Sequence, residues 1–101
     1  LPDRHLALTT RFRMKGSDDT AFKHALKTLI LEETEQELGV DELTDTEALF
    51  GPDARLALDS IDGLQISMAL QVAYGIRITD PKELMRVMRD VNTLADHLRP
   101  A

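Results

Sequence analysis

The chain has 101 residues, of which 43% are hydrophobic, a size that suits one domain with one modest core. It contains no cysteine, which excludes disulfides and thiolate nucleophiles supplied by the chain itself. Its formal net charge is -6, and because residues 1–17 carry +3, residues 18–101 carry -9. An acidic domain repels nucleic acid and anionic lipid and attracts basic protein surfaces, so we expect protein partners and no nucleic acid.

The chain has few aromatic residues and no Trp, so its core must consist mainly of aliphatic side chains. Most of these residues favour helix over strand, which indicates an all-α class. No run approaches the roughly 18 apolar residues of a membrane span, and Leu6–Leu8 is too short for a signal-peptide core. We expect a cytoplasmic monomer without membrane insertion. Residues 1–17 show no hydrophobic period and are interpreted as a flexible basic N-terminal arm, followed by a helical domain over residues 18–101.

A first helix is predicted after Asp18–Thr20, which offer N-cap oxygens, and it runs on to Leu38 before Gly39. The following segment, residues 40–59, has scattered apolar residues interrupted by Asp, Thr, Gly and Pro, which indicates a long loop pinned to the core by its own side chains. Loops of this length usually have a function. The apolar residues of the first helix share one face: Phe22, Leu26, Leu29 and Ile30.

A second helix is predicted to begin at Asp59 or Ser60, either of which can cap it, and to end at Tyr74–Gly75. Asp80, with Pro after it, starts a short third helix whose inward residues are Leu84, Val87 and Met88, and Asn92 is expected to cap a last helix through Leu98. The predicted architecture is a four-helix bundle with a long loop between helices one and two and a short third helix.

Ser60 stands where the long loop meets a helix N-terminus. Free N–H groups and the positive end of the helix dipole favour a phosphoryl group at such a position, and the loop leaves the hydroxyl open to a modifying enzyme. The alternative is that Ser60 only caps the helix, and the local sequence by itself favours capping.

The segment Asp59-Ser60-Ile61-Asp62, within residues 56–74, resembles the Asp-Ser-Leu attachment motif of acyl carrier proteins and the helix that follows it. Residues 37–40, 68–70, 74–78 and 92–98 are also similar to helix ends and helices of that family. The resemblance covers residues 20–99 in the right order. It implies that Ser60, within the motif formed with Asp59, Ile61 and Asp62, carries 4′-phosphopantetheine donated by coenzyme A.

The resemblance further implies that the protein is not an enzyme. It would carry acyl intermediates as thioesters for fatty acid, polyketide or specialised lipid biosynthesis, and its partners would be a phosphopantetheinyl transferase and acyl-transferring and elongating enzymes. A thiol imported on the cofactor agrees with the absence of cysteine. Residues 49–63 also resemble carriers of aryl-polyene pathways, whose motif often reads Asp-Ser-Ile-Asp. The cargo stays open among a polyene, another lipid and an aminoacyl group.

To enclose a flexible acyl chain, the bundle needs aliphatic core side chains that can move apart. The residues that could supply such an acyl pocket are Ile66, Leu70, Ile78, Leu84, Val87 and Leu94. Leu98 could also contribute, and for each residue taken singly an ordinary core role is the alternative. No metal site is expected, because the three histidines, His5, His24 and His97, lack the close spacing of metal ligands.

The second helix departs from the family pattern, because uncharged residues stand where fatty acid synthesis carriers have acidic ones. Two apolar rows run along it, and both cannot face one small core. The second row, here called the outer row, consists of Ile61, Leu64, Met68 and Val72. We expect it to be a docking face that binds partners more by apolar contact than by charge. The alternative is that helix three or the long loop covers the outer row. Gly63 stands where a helix former is expected, so we expect it to allow the close approach of a partner or of the long loop.

Two competing functions differ in what they require of Ser60. An enzyme would need Ser60 as nucleophile, His24 or His97 as base, and Asp59 or Asp62 as the orienting acid, but the glycine-flanked serine of a nucleophile elbow is missing. An unmodified helical interaction module would use the outer row alone. Modification of Ser60 separates the carrier from the interaction module.

Overall fold

The computed structural model describes residues 14–100, so residues 1–13 of the predicted arm lie outside the described residues. The helices in this part of the chain are α1 (Thr20–Glu33), α2 (Ser60–Tyr74), α3 (Pro81–Val87) and α4 (Val91–Leu98). Two 3₁₀ turns accompany them, Gly16–Asp18 and Val40–Glu42, and residues 14–100 contain no strand. The predicted all-α four-helix bundle, with a long loop after the first helix and a short third helix, is confirmed.

The first 3₁₀ turn packs directly on α4. Gly16 is buried, and a Cβ atom built on it would lie 2.0 Å from the carbonyl oxygen of Ala95, so the two backbones are in contact. The Gly16 N–H donates to the Arg99 carbonyl at 2.8 Å, and the Ser17 N–H donates to the Asp96 carboxylate at 2.9 Å. The folded part therefore includes Gly16 and Ser17, which the sequence had assigned to the arm.

Helix α1 ends earlier than predicted. It stops at Glu33, and Glu35 takes the left-handed conformation with φ 53°. The Gln36 N–H donates to the Leu31 carbonyl at 2.9 Å and the Glu35 N–H to the Glu32 carbonyl at 3.2 Å, which is a Schellman ending with Glu where glycine is usual. The predicted extension to Leu38 is wrong. The chain turns at Glu35, and beyond the turn the side-chain amide of Gln36 donates to the Leu56 carbonyl at 3.4 Å, so this segment packs on the long loop and does not continue the helix.

The other helix boundaries follow their caps. Asp59 caps α2, Gly75 ends it with φ 71°, and Asp80 caps α3 by accepting from the Lys82 N–H. Helix α4 is capped by Asp90, which accepts from the Thr93 N–H at 2.7 Å. The predicted cap Asn92 is wrong; it lies within the first turn, where its side-chain oxygen accepts from the Lys23 ammonium at 3.3 Å.

The core contains residues from all four helices and from the long loop. Between α1 and α2 the loop buries Leu43, Leu49, Leu56 and Leu58, as predicted for a segment pinned by its own side chains. The helices, with Met88 at the C-cap of α3, contribute the remaining buried hydrophobic residues: Leu26, Ile30, Leu31, Ile66, Leu70, Leu84, Val87, Met88, Val91, Leu94 and Ala95. The loop is therefore part of the fold, and its position determines where Ser60 emerges.

Ion pairs also fasten the loop. Lys23 and Lys27 of α1 each place the ammonium nitrogen 2.8 Å from an oxygen of Asp45, and these contacts lower the pKa of that carboxyl. Within the loop, Arg55 donates to Glu47 at 2.6 Å, and this hydrogen bond is the main reason that the pKa of Glu47 falls to about 2. Both carboxylates are therefore ionised at neutral pH; the Asp45 carboxylate ties the loop to α1, and the Glu47 carboxylate ties two parts of the loop together.

The start of α1 lies beside the end of α2. The rings of Phe22 and Tyr74 meet edge to face with centroids 5.6 Å apart, and the Arg99 guanidinium lies 4.5 Å from the centroid of the Phe22 ring while pairing with Asp19. We call these four residues, Asp19, Phe22, Tyr74 and Arg99, the clasp. The term also includes Gly16 and Ser17, which pack against α4. Ser60 is at the other end of α2, about 21 Å along the helix from Tyr74 at 1.5 Å per residue.

Candidate functional site

Ser60 is the first residue of α2 and is exposed. The cap before it is a reciprocal pair: the Asp62 N–H donates to Asp59 Oδ1 at 2.9 Å, and the Asp59 N–H donates to Asp62 Oδ2 at 3.1 Å. Capping is thus performed by Asp59, and the reading of Ser60 as the cap is wrong. The Ser60 hydroxyl stands outside the capping box, so the helix start does not depend on it.

The cap also changes the electrostatics expected at Ser60. Hydrogen bonding from the Asp62 backbone N–H is the main cause that lowers the pKa of Asp59, so an ionised carboxylate stands beside the serine. The same N–H was among the donors expected to face a phosphoryl group. Part of the anion-binding capacity of this helix end is therefore occupied by Asp59, and the features that remain at Ser60 are an accessible hydroxyl and the helix dipole.

The loop fixes the point at which Ser60 reaches the surface. Leu58, two residues earlier, is 2% exposed; its N–H donates to the Leu49 carbonyl at 3.1 Å and its carbonyl accepts from the Gly51 N–H at 3.2 Å. Between Leu56 and Leu58, Ala57 takes φ 48°, a left-handed conformation that is uncommon for alanine. Two buried leucines thus flank a turn that delivers Asp59 and Ser60 to solvent.

An apolar cleft of about 190 Å³ lies beside Ser60, between α2 and α3. Of the six predicted acyl-pocket residues, Ile78 and Leu84 line it, whereas the other four lie in the closed core: Ile66, Leu70, Val87 and Leu94. The sequence analysis assigned Leu64 only to the outer row and gave Met85 no role, yet both line the cleft. Spacing could have indicated Met85, because it lies four residues after Pro81 and shares its helix face.

The outer row is exposed along its whole length, as expected for the second apolar row of α2. The exposed fractions are 66% for Ile61, 57% for Leu64, 56% for Met68 and 89% for Val72. Neither α3 nor the long loop covers the row. The loop instead covers Gly63, where a Cβ atom would lie 3.2 Å from the Phe50 ring, so the close approach expected at this glycine is made by the loop.

A second depression, here called the α1–α2 groove, adjoins the outer row. It is lined by Glu33 of α1 and by four residues of α2: Gln65, Met68, Ala69 and Val72. Sequence analysis identified only Met68 and Val72. Glu33 was missed because its place beside α2 depends on how the two helices pack.

The residues of the alternative nucleophile–base arrangement are not brought together. His24 lies in the first turns of α1, close in sequence to Phe22, and His97 lies in the last turn of α4, close to Arg99. Both therefore belong to the clasp end of the bundle, whereas Ser60 lies at the opposite end of α2. Among residues 14–100, no group of three or more His, Cys, Asp or Glu side chains is placed to hold a metal ion.

Comparison of the chain with protein-family models, with curated proteins and with solved structures gives no match in any of the three. Within the described part of the chain, no helix combines the length and apolar character needed to cross a membrane. The site is thus defined by its own residues: an accessible primary hydroxyl at a helix start, an apolar cleft beside it, and an exposed apolar row along the same helix.

Proposed function

We propose that this protein is an acyl carrier that holds its cargo as a thioester on a 4′-phosphopantetheine group attached to Ser60. The proposal depends on one observation at the start of α2: one residue caps the helix and a different residue presents the hydroxyl. Asp59 caps the helix, so the exposed Ser60 hydroxyl can be modified without loss of a structural hydrogen bond. The order of helices around the motif, the long loop and the absence of cysteine all agree with it.

Each part of the site has a role in this function. Ser60 supplies the oxygen that attaches the group, and the capping box of Asp59 and Asp62 holds the first turn in place. When bound, the group supplies a thiol on a flexible arm. The cleft lined by Leu64, Ile78 and Leu84 would shelter an apolar part of the cargo from water, and a longer chain requires the closed core to part.

Partner recognition is assigned to the outer row. Its partners would be a phosphopantetheinyl transferase and acyl-transferring and elongating enzymes of fatty acid, polyketide or specialised lipid biosynthesis. Four exposed apolar side chains on one helix face favour contact by burial over contact by charge alone. In this role the protein is a cytoplasmic monomer that visits successive enzymes.

The test is intact mass after incubation with coenzyme A and a broad-specificity phosphopantetheinyl transferase. Wild type and Ser67→Ala, a control at the other serine of α2, should each gain one phosphopantetheine, whereas Ser60→Ala should gain none. Addition to the Ser60→Ala variant would place the attachment elsewhere and contradict the proposal. No addition to folded wild type would favour the second candidate.

That second candidate is an unmodified helical interaction module. The exposure of the outer row favours it independently of Ser60, because such a row serves protein binding whether or not the serine is modified. A module of this kind would keep full partner binding in Ser60→Ala and would show no mass addition.

A further inference from the structure

We infer that the Phe50 ring limits the length of the apolar chain that the cleft beside Ser60 holds, and that this cleft takes about six to eight carbon atoms of an uncharged acyl chain. The inference deepens the proposed function by naming the class of cargo and the residue that sets its length. It rests on that function for the link between cargo and Ser60, whereas the size limit concerns the cleft alone.

The volume of the cleft corresponds to a short chain. An apolar cavity of about 150 Å³ holds one benzene molecule, which has six carbon atoms. The cleft measures about 190 Å³, so in the same proportion it has room for about six to eight carbon atoms. A chain much longer than this must either leave its end in water or displace a side chain that bounds the cleft.

The lining of the cleft suits an uncharged chain. Asp80 is the one ionisable residue among those that line it, and its carboxylate accepts from the Lys82 N–H at the start of α3. The cations of the adjoining segments are exposed and do not line the cleft: Arg55, Arg77, Lys82, Arg86 and Arg89. An ionised group at the end of a chain would therefore lose its water inside the cleft without gaining a partner of opposite charge.

The Phe50 ring closes the cleft on the side of the long loop. A Cβ atom built on Gly63 would lie 3.2 Å from Cε1 and 3.3 Å from Cζ of Phe50, and 3.4 Å from Cδ2 of Leu84. The tip of the ring and the cleft-lining Leu84 thus meet over the same glycine. Gly63 lies between Ser60 and Leu64, which line the cleft from α2. The ring therefore fills the space through which the cleft would otherwise continue toward the loop.

Two further features hold the ring in this position. Glycine inside a helix is less favourable than alanine, and at Gly63 it leaves the space that the ring tip occupies. The backbone on both sides of Phe50 is also fixed, because the Gly51 N–H donates to the Leu58 carbonyl and the Leu58 N–H donates to the Leu49 carbonyl. The half-buried ring thus sits on the same turn that delivers Ser60, and it is a fixed end of the cleft.

The first test uses the full unmodified chain and a series of straight-chain alcohols: butanol, hexanol, octanol and decanol. Binding is followed by the methyl signals of Leu64, Ile78 and Leu84 in isotope-labelled protein. Each methylene group that enters the cleft should raise the affinity by up to about fourfold. For wild type the gain should stop near octanol, because the Phe50 ring leaves no room beyond it.

Two variants move the limit and a third is the matched control. Phe50→Leu removes the tip of the ring, so decanol should bind it at least about fourfold more tightly than octanol does. Phe50→Met, which keeps buried volume but replaces the rigid ring with a flexible chain, should move the limit in the same direction. Phe22→Leu makes the first substitution in the clasp, away from the cleft, and should keep the wild-type limit.

The second test measures thermal unfolding of chains loaded at Ser60 from acetyl, hexanoyl, octanoyl and dodecanoyl coenzyme A by the transferase. A cargo chain that is buried only in the folded protein raises the midpoint. For wild type the midpoint should rise from the acetyl to the octanoyl form and gain nothing more with dodecanoyl. In Phe50→Leu the dodecanoyl form should have the highest midpoint.

An affinity for wild type that keeps rising through decanol, no saturable binding of any alcohol, or the same limit in wild type and both Phe50 variants would each overturn the inference. A limit that also moves in Phe22→Leu would overturn it too, because the effect would not depend on the cleft. Failure of folded wild type to accept phosphopantetheine would contradict the proposed function instead, and the alcohol series, repeated in Ser60→Ala, would still decide the size limit.

Discussion

At one end of α2, Tyr74 is held by Phe22, Arg99 lies over Phe22 and pairs with Asp19, and Gly16 touches the backbone of α4. At the other end, Ser60 is exposed, and the outer row leaves the same helix with large apolar side chains in water. The clasp side chains therefore contact other parts of the same chain, whereas Ser60 and the outer row, which extends along α2 as far as Val72, remain available to other molecules.

The buried side chains that stabilise the fold and the apolar side chains left in water thus lie on different faces of α2. Burying a Val, Leu, Ile or Met side chain contributes about 1.5–3 kcal/mol, and the outer row gains little of this in the free protein. Folding therefore does not explain why the row is apolar, while the inward residues Ile66 and Leu70, both fully buried, are explained by the core. Substitutions in the clasp should accordingly change the free energy of unfolding, whereas substitutions in the outer row should change it little.

The largest effect on stability is expected from a substitution that disrupts the clasp. Gly16→Ala places a methyl group 2.0 Å from the Ala95 carbonyl oxygen, so the first 3₁₀ turn must move off α4. We expect a loss of about 2 kcal/mol in the free energy of unfolding, the size typical of overpacking a closed contact. Chemical denaturation measures it.

The matched control is Gly39→Ala, whose methyl group would meet only the flexible end of the Glu42 side chain at 2.9 Å. It should change stability far less than Gly16→Ala. Equal stabilities of the two variants would show that the turn does not depend on the close approach at Gly16.

The next prediction compares the cap of α2, Asp59, with the proposed attachment residue, Ser60. Asp59→Ala removes the acceptor of the Asp62 N–H and should lower the denaturation midpoint, whereas Ser60→Ala should leave it unchanged because Ser60 stands outside the capping box. Thermal unfolding followed by circular dichroism compares the two. A lower midpoint for Ser60→Ala would mean that its hydroxyl contributes to the helix start after all.

A smaller effect depends on pH and acts on the loop that leads to Ser60. Arg55 holds the pKa of Glu47 at about 2, below its ordinary value of 4.5, so the stability from this pair is present above pH 4.5 and is lost as the pH falls toward 2. For a partly exposed pair the loss should be at most about 1 kcal/mol.

Glu47→Gln should remove that part of the pH dependence, and denaturation at several pH values between neutrality and about 2 measures the difference. The variant should be less stable than wild type near neutral pH and approach it in acid. Parallel curves for the two proteins across the acid range would contradict the assignment.

The smallest expected effect is a gain at the turn before Ser60. Ala57 has φ 48°, which glycine adopts without strain, so Ala57→Gly should raise the free energy of unfolding by about 0.5 kcal/mol after the larger entropy of the unfolded glycine is subtracted. Ala54→Gly, in the same loop but without a positive φ, should instead destabilise. Loss of stability in both variants would indicate that the turn is unstrained.

Sequence reasoning was most accurate where a structure is made by neighbours in the chain. The exit at Gly75 and the start of α3 at Asp80 each use hydrogen bonds over two to four residues, and both were predicted. Asp59 was one of the two caps predicted for α2, but its reciprocal pairing with Asp62 was not predicted. The predicted N-cap of α4 was wrong because Asp90 and Asn92 both have a side-chain oxygen suitable for capping. In the structure Asp90 caps the helix, while the Asn92 oxygen accepts from Lys23.

At the candidate site, local caps and the helical period were sufficient to place Ser60 at a helix start and to predict two apolar rows on α2. Long-range packing set the other features: α1 ends at Glu33, Gly16 joins the fold, Leu64 and Met85 line the cleft in place of the inner core, and Glu33 lines the α1–α2 groove. These outcomes depend on contacts between residues far apart in the chain, and a local pattern does not record which distant backbone or side chain will lie opposite.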